Sequence, residues 1–453
     1  MIFELVSSAV VGGLLLSSYH YQNSGGGNDH QKIVVIARNC GLTTKDKKEI
    51  RIHRKTKKAG YTEYVYQMPH GLSSKQFQEK VDHFQDGLNI KKSILDISLE
   101  DFKKIDWKGD IVQQLKKIFT QKKKLKKEIE IDFDGMLIFR VFNEPLTSNL
   151  AYNEDLLKKV NGWEVPVGID RSGVIVKHDF EEIPHLVIGG GTRYGKSNFL
   201  NSLIVTLLKK QPNNVSFTLI DLKGGVEFGD YEYVKQVKNI AFEPEEAAKA
   251  LKAAYEEMRF TQEKLRKLGK KKVQDAGIKE RHFIIIDEVG ELNPDEAVDK
   301  KDIKEKGKII HKSEKTIKEE CQMYMSKIAR IGAGLGYRQL LATQYPTGDV
   351  IPRQCKQNSD AKLCFRVRNA TASNVVLDEG GAEKLPRIKG RAIYQTDQRH
   401  IIQAPYILED EIRKTITPHI NIRPRKEKEH AESCTEGTKT DRNLLVIEET
   451  GLS

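Results

Sequence analysis

In the stretch HLVIGGGTRYGKSNFL, His185 to Leu200, four residues have the types and spacing to bind phosphate. Gly190, Gly195, Lys196 and Ser197 fit G-x-x-x-x-G-K-[ST], with an apolar run before them and a helix-forming run after. Glycines let the backbone curl so that its N–H groups face an anion, and the N-terminus of a following helix adds partial positive charge. Lys196 can reach the β- and γ-phosphates of a nucleoside triphosphate, and Ser197 can bind Mg²⁺. The whole loop, Gly190, Gly191, Thr192, Arg193, Tyr194, Gly195, Lys196, Ser197 and Asn198, is therefore the candidate nucleotide-binding set, with ATP and Mg²⁺ as the cofactors. Arg193 and Tyr194 are bulky for this loop; both side chains can point out of it, into solvent, onto a base or toward a neighbouring subunit.

A second constellation completes the chemistry. In FIIIDE four apolar residues end at Asp287, whose carboxylate can hold the water shell of Mg²⁺, and Glu288 follows, where it can polarise the attacking water. A hydrophobic run ending in two acids is a weak signal alone and a strong one downstream of a phosphate loop. Further on, in LLATQYP, Gln344 ends another apolar run. An amide on that edge can bond both γ-phosphate and water and so report hydrolysis. Glu288, Lys196 and Gln344 are the candidate catalytic residues; Ser197 and Asp287 are the candidate metal ligands.

These groups need elements to position them. HLVIGG, VSFTLIDL, HFIIIDE, RQLLATQ and AKLCFRVR are apolar, β-rich runs, most of them separated by helical stretches. The alternation predicts an α/β fold with a mostly parallel sheet covered by helices on both faces. VSFTLID lies between the two motifs, which predicts the RecA-like arrangement, the acidic strand not directly beside the phosphate-loop strand. This motor domain is expected over 162–410, interrupted at 293–318 by a lysine-rich, helical, solvated insertion. Before it, 32–161 predicts a smaller α+β domain: KIVVIARNCGL, YTEYVYQMP and MLIFRVF as strands, and a helix opened by Ser73 and Gln76 at capping-box spacing. Residues 21–31 read as a linker and 411–453 as a polar, disordered tail.

From Leu5 to Tyr19 the chain carries no charge, short of the roughly 20 residues a spanning helix needs unless Ile2 and Phe3 are added. Residues 1–20 are expected to be a membrane anchor with the bulk of the chain cytoplasmic, since Lys and Arg begin only at Lys32; a buried or frayed helix is the alternative. Net charge is +12, from 76 Lys and Arg against 64 Asp and Glu, which favours an acidic partner such as DNA or an anionic membrane surface. The five cysteines include no CxxC pair and read as free thiols without a zinc site.

HLVIGGGTRYGKSNFLNSLI, LIDLKGGVEF, FIIIDEVGEL, LLATQYPTGDVIP and AKLCFRVRNATASNVVLDEGGAEKL, in that order, resemble the FtsK/SpoIIIE DNA translocases. The likeness is greater still to the FtsK-like coupling ATPases of Gram-positive conjugative plasmids and integrative elements, and it runs from about Trp163 to Tyr406. The resemblance implies a homo-hexameric ring that draws DNA through its pore using ATP, at the membrane and with a DNA-processing or secretion complex as partner. It places Lys196 and Ser197 on phosphate and Mg²⁺, Asp287 and Glu288 on metal and water, and Gln344 as sensor. Two departures leave the trans-acting arginine open among Arg330, Arg366 and Arg368: Ala333 where the family often has arginine, and Thr371-Ala372-Ser373 where it often has Asp-Ser-Arg. Only 47 polar-rich residues follow Tyr406, which disfavours a winged-helix DNA reader and a chromosome-segregation role. An ATPase moving protein substrates and a non-catalytic DNA-binding adaptor are the alternative functions.

Overall fold

The computed structural model describes residues 29–420, apart from 59, 90–92, 96–121, 125–126, 306–307, 345 and 347–349. The expected anchor at 1–20, most of the linker, Cys434 and the tail beyond 420 lie outside the described residues. Among those described, no helix is long and apolar enough to cross a membrane.

The chain starts with α1 (Asp29–Asn39), then β1 (Arg51–Lys58) and β2 (Tyr61–Gln67). Next come α2 (Ser74–Glu79), α3 (Val81–Leu88), the short paired strands β3 (Ser93–Leu95) and β4 (Lys122–Lys124), β5 (Glu128–Asp134) and β6 (Met136–Phe142). The antiparallel order β1-β2-β6-β5 makes a small sheet. Its covered face is aromatic: Tyr64, Tyr66 and Phe139 pack with Phe77 and Phe84 from the helices. Gln76 Oε1 accepts from Ser73 N at 2.9 Å, so the capping box forms. β1 is an edge strand, exposed nearly throughout and lined with Arg and Lys, a composition that resists edge-to-edge pairing.

Lys32 to Leu42, expected as a strand, is instead mostly α1. Its run of β-branched residues suggested a strand, but Ile33 and Ala37, one helical turn apart, are the buried positions, while Val35 is exposed. Asp29 opens the helix and pairs with Lys127 Nζ at 2.6 Å.

After α4 (Glu154–Leu157), the large sheet is built from β7 (Glu164–Asp170), β8 (Ile175–Asp179), β9 (Leu186–Gly189), α5 (Lys196–Lys210) and β10 (Val215–Asp221). It continues through β11 (Val237–Ala241), α6 (Pro244–Lys267), β12 (Arg281–Asp287), a hairpin of β13 (Ile303–Glu305) and β14 (Lys308–His311), and α7 (Glu314–Ile331). β15 (Tyr337–Thr343), α8 (Arg353–Gln357), β16 (Ala361–Phe365), α9 (Ala370–Leu377), β17 (Arg391–Gln395), β18 (Arg399–Gln403) and α10 (Glu409–Ile416) complete it. The ten strands are ordered β11-β10-β12-β15-β9-β16-β17-β18-β7-β8. From β11 to β16 neighbours run parallel; from β16 to β8 they run antiparallel.

Side chains of the central strands alternate between two covered faces. Phe283 and Ile285 of β12 join a core with α5 and α10, whereas Ile284 and Ile286 join a core with α6, α7 and α9. α5 is buried on most sides, and the hydroxyls of Ser202 and Thr206 bond back to Phe199 O and Ser202 O at 2.8 and 2.7 Å.

Two further expectations change. The insertion at 293–318 is a two-stranded hairpin leading into α7, whose Ile317 and Cys321 are buried; the lysine-rich composition hid a core helix. Asp302 anchors the turn, accepting from Ser313 N at 2.8 Å and Thr316 Oγ1 at 2.8 Å. Residues 411–420, expected as disordered, lie mostly in α10 and the 3-10 turn after it, with Ile412 and Ile416 in the core against α5. β7, β8, β11, β17 and β18 carried no distinct sequence signal because polar and charged residues interrupt their apolar runs.

Candidate active site

The carboxyl ends of β9, β15, β12 and β10 lie side by side, and the residues just beyond them form the site. β15 separates β9 from β12, the strand placement the two motifs predict. From Gly190 to Gly195 the loop is braced by its neighbours. Gly190 N donates to Thr343 O at 3.2 Å and Gly191 N to Arg366 O at 2.9 Å, while Tyr194 O accepts from Gly390 N at 2.9 Å. At Gly190 an added Cβ would stand 2.6 Å from Phe365 Cβ, so only glycine fits against β16. Gly195, with φ +111°, turns the chain into α5. The amides at the start of α5, Lys196 and Ser197, are left to meet phosphate.

Arg193 is exposed, with φ +71°. Tyr194 is only half-exposed and packs against the α5-side core, so it is not the free surface ring that solvent exposure would make it. Asn198 grips a distant segment: Nδ2 donates to Ile407 O at 2.8 Å, and Oδ1 accepts from Ile407 N at 3.1 Å.

Lys196 is buried, and its Nζ pairs directly with Asp287 Oδ1. Burial pulls its pKa down to about 8, against the attraction of Glu288. Asp287 is fully buried, and its Oδ2 has no hydrogen-bond partner among the described residues. An orphaned carboxylate oxygen next to a phosphate loop fits a cation and its water shell, so the residues present suit Mg²⁺.

Glu288 occupies a left-handed backbone conformation, φ 62° and ψ 62°, unusual for a residue with a side chain. Its carboxylate accepts from Thr343 Oγ1 at 2.8 Å, from Gln344 N at 3.0 Å and from Lys223 Nζ at 2.8 Å. Burial works to raise its pKa, but the bonds and charge from Lys223 and the Thr343 hydroxyl outweigh burial and hold it below the usual carboxylate value. Gln344 Oε1 accepts from Thr192 Oγ1 at 3.2 Å, so one residue touches both the phosphate loop and the acid.

Lys223 and Thr343 were not singled out from the sequence. Lys223 stands on a loop built around buried Asp221, which accepts from Lys223 N at 3.1 Å, Glu227 N at 2.7 Å and Phe228 N at 3.1 Å. The reason for Lys223 lies in the fold: Asp221 pairs in register with Asp287, and adjacent strand ends carrying buried acids need a nearby cation, a juxtaposition that the order of residues does not display. Of the arginines considered for action in trans, Arg366 and Arg368 line a cavity of about 570 Å³ with Gly191, Thr192 and Gln344. Arg330 lies in the last turn of α7, which leads into the amino end of β15, the opposite end of the strands from the phosphate loop. A larger polar groove of about 940 Å³ also opens at that end of the strands, where Lys356 and Lys362 both pair with Asp378.

This geometry defines a P-loop nucleotide-binding domain, and the comparisons agree. Residues 153–291 match the model of the FtsK/SpoIIIE family and form a domain of that type. The chain is 31% identical over 278 residues to the DNA translocase FtsK of Leptospira interrogans, covering 57% of this chain and 27% of that protein. It is 26% identical over 284 residues to the DNA translocase FtsK of Streptococcus pneumoniae, covering 58% and 34% respectively. The chain thus spans about a quarter to a third of the length of these curated relatives. Its fold is shared with the pCW3 conjugation coupling protein TcpA, solved in a monomer form with ATPγS. The TM-score is 0.55 and the identity 21%, over 86% of this chain and 99% of that one.

Proposed function

We propose that this chain is an ATP-driven DNA translocase of the FtsK/SpoIIIE type, coupling DNA transfer of a plasmid or integrative element. The observation that carries the reading is the convergence of Lys196, Asp287, Glu288 and Gln344 at adjoining strand ends. The family domain, the shared fold and the net charge of +12 support a polyanionic cargo. The family resemblance of the motifs implies a homo-hexamer, and the uncharged stretch Leu5 to Tyr19 is the basis for placing the chain at the cytoplasmic face of the membrane, with residues 1–20 as the tether.

In this mechanism the loop amides and Lys196 hold the β- and γ-phosphates. Mg²⁺, when bound by Ser197 and Asp287, neutralises charge on the phosphates and fixes their geometry. Glu288 accepts the proton of the attacking water. To do so it must first give up Lys223, which occupies its carboxylate in the resting arrangement. Gln344, tied to Thr192 on one side and to Glu288 through its backbone N–H, passes the change to β15 and the loop after it. Arg366 and Arg368 line a cavity beside this chain's own phosphate loop and, with Arg330, are the candidates for action in trans.

The test is ATP hydrolysis by the full chain with and without DNA, alongside Lys196→Ala. The reading expects DNA to stimulate the wild-type rate severalfold and the variant to be inactive. A wild-type rate indifferent to single- and double-stranded DNA would instead favour a protein cargo.

A further inference from the structure

The phosphate loop lines only one end of its cavity, which measures about 470 Å³. The other end is built from Ser148, Asn149, Lys389, Gln403, Pro405 and Tyr406. That wall is rigid where its backbone is concerned. Tyr406 N donates to Leu150 O at 2.7 Å, and Tyr152 N donates to Tyr406 O at 3.0 Å. Arg391, 1% exposed, donates to Leu146 O at 2.9 Å and Thr147 O at 2.8 Å, and its Nε donates to Gln403 Oε1 at 3.2 Å. The double bond from Asn198 to Ile407 fixes the first turn of α5 to the same segment.

On this fixed backbone the Tyr406 side chain is 57% exposed, and Asn149 is exposed beside it. An aromatic face and an amide held at the mouth of a cavity whose other end binds phosphate are suited to a planar, polar-edged ring. The segment bearing Asn149 is also the strap that leaves β6 at Phe142 and joins the small sheet to the motor.

We propose that this wall is a base subsite, in which an adenine ring stacks on Tyr406 and meets the Asn149 amide, so that the strap forms one side of the bound nucleotide's site. The proposal rests on the nucleotide reading of the phosphate loop. An amide offers one donor and one acceptor side by side, matching the N7 acceptor and N6 donor of adenine; guanine shows two acceptors there and leaves the amide oxygen without a partner. Because the strap is continuous with β6, base contact connects nucleotide occupancy to the N-terminal sheet.

The experiment measures binding of ATP, GTP and inorganic tripolyphosphate to the full chain with Mg²⁺. Wild type is compared with Tyr406→Ala, Tyr406→Phe and Asn149→Ala. Tyr406→Ala is expected to weaken ATP about tenfold and leave tripolyphosphate unchanged, with Tyr406→Phe restoring affinity. Asn149→Ala is expected to erase most of the preference for ATP over GTP. ATP, and not tripolyphosphate, is expected to slow proteolysis between Asn143 and Leu150. Wild type binding tripolyphosphate as tightly as ATP, or Tyr406→Ala weakening both ligands equally, would overturn the subsite while leaving the phosphate loop intact. Equal protection of the strap by both ligands would overturn its contact with the base. Wild type binding neither ligand would remove the nucleotide reading itself.

Discussion

Glu288 holds a backbone conformation that costs a non-glycine residue on the order of 1–3 kcal/mol, and its surroundings compensate. Three donors, Lys223, Thr343 and the Gln344 amide, fix the carboxylate. Glu288→Gln keeps the shape and most of those contacts but removes the base. ATP binding should persist while hydrolysis falls about 10²- to 10⁴-fold, measured as bound nucleotide against phosphate release. Lys223→Ala should free the carboxylate: hydrolysis without DNA rises and the stimulation by DNA shrinks, and a fall in both would show that Lys223 assists the reaction rather than restrains it. Lys196, Asp287, Glu288 and Gln344 were legible because their types and spacing carry the chemistry themselves. Lys223 was not, because its meaning depends on β10 and β12 pairing in register, which spacing along the chain does not reveal.

At the scale of elements, the sheet is tied at the amino ends of two interior strands, β12 and β15, by another buried charge cluster. Arg338, fully buried, and Arg281 both pair with Glu181, at 2.9 and 2.6 Å. Burial acts to raise the Glu181 pKa, but the bonds from Arg281 and Gln274 and the charge of Arg338 prevail and bring it to about 2. Because the folded value lies below the ordinary 4.5, the cluster stabilises the fold above that pH. The contribution is lost as pH falls from about 4.5 through about 2. Denaturant unfolding followed against pH should show a steeper loss in that window for wild type than for Glu181→Gln. The variant should itself be less stable by about 2 kcal/mol at neutral pH, since Arg338 loses a partner. The central strands were readable as apolar runs with two buried faces. α1 and the hairpin were not: a row of β-branched residues outweighed the helical spacing of Ile33 and Ala37, and a run of lysines concealed that Ile317 and Cys321 begin a core helix.

For the whole molecule, a small aromatic-cored sheet is joined by the 143–152 strap to a ten-stranded sheet, and the strap runs past the cavity at the phosphate loop. The candidate site sits at the carboxyl ends of the parallel strands, where such sheets place their ligands. The parallel half of the sheet was legible as alternating apolar and helical runs. The antiparallel extension of β17, β18, β7 and β8 was not, because it brings together segments from both ends of the domain. The central claim is that one Mg·ATP joins Lys196 to the acid pair and that its hydrolysis moves DNA. Displacement of streptavidin from biotin-ended DNA, single- and double-stranded, tests it most directly. Wild type should displace it from at least one substrate only with ATP, and Glu288→Gln and Lys196→Ala should not. Displacement without ATP, or at the wild-type rate by Glu288→Gln, would contradict the account.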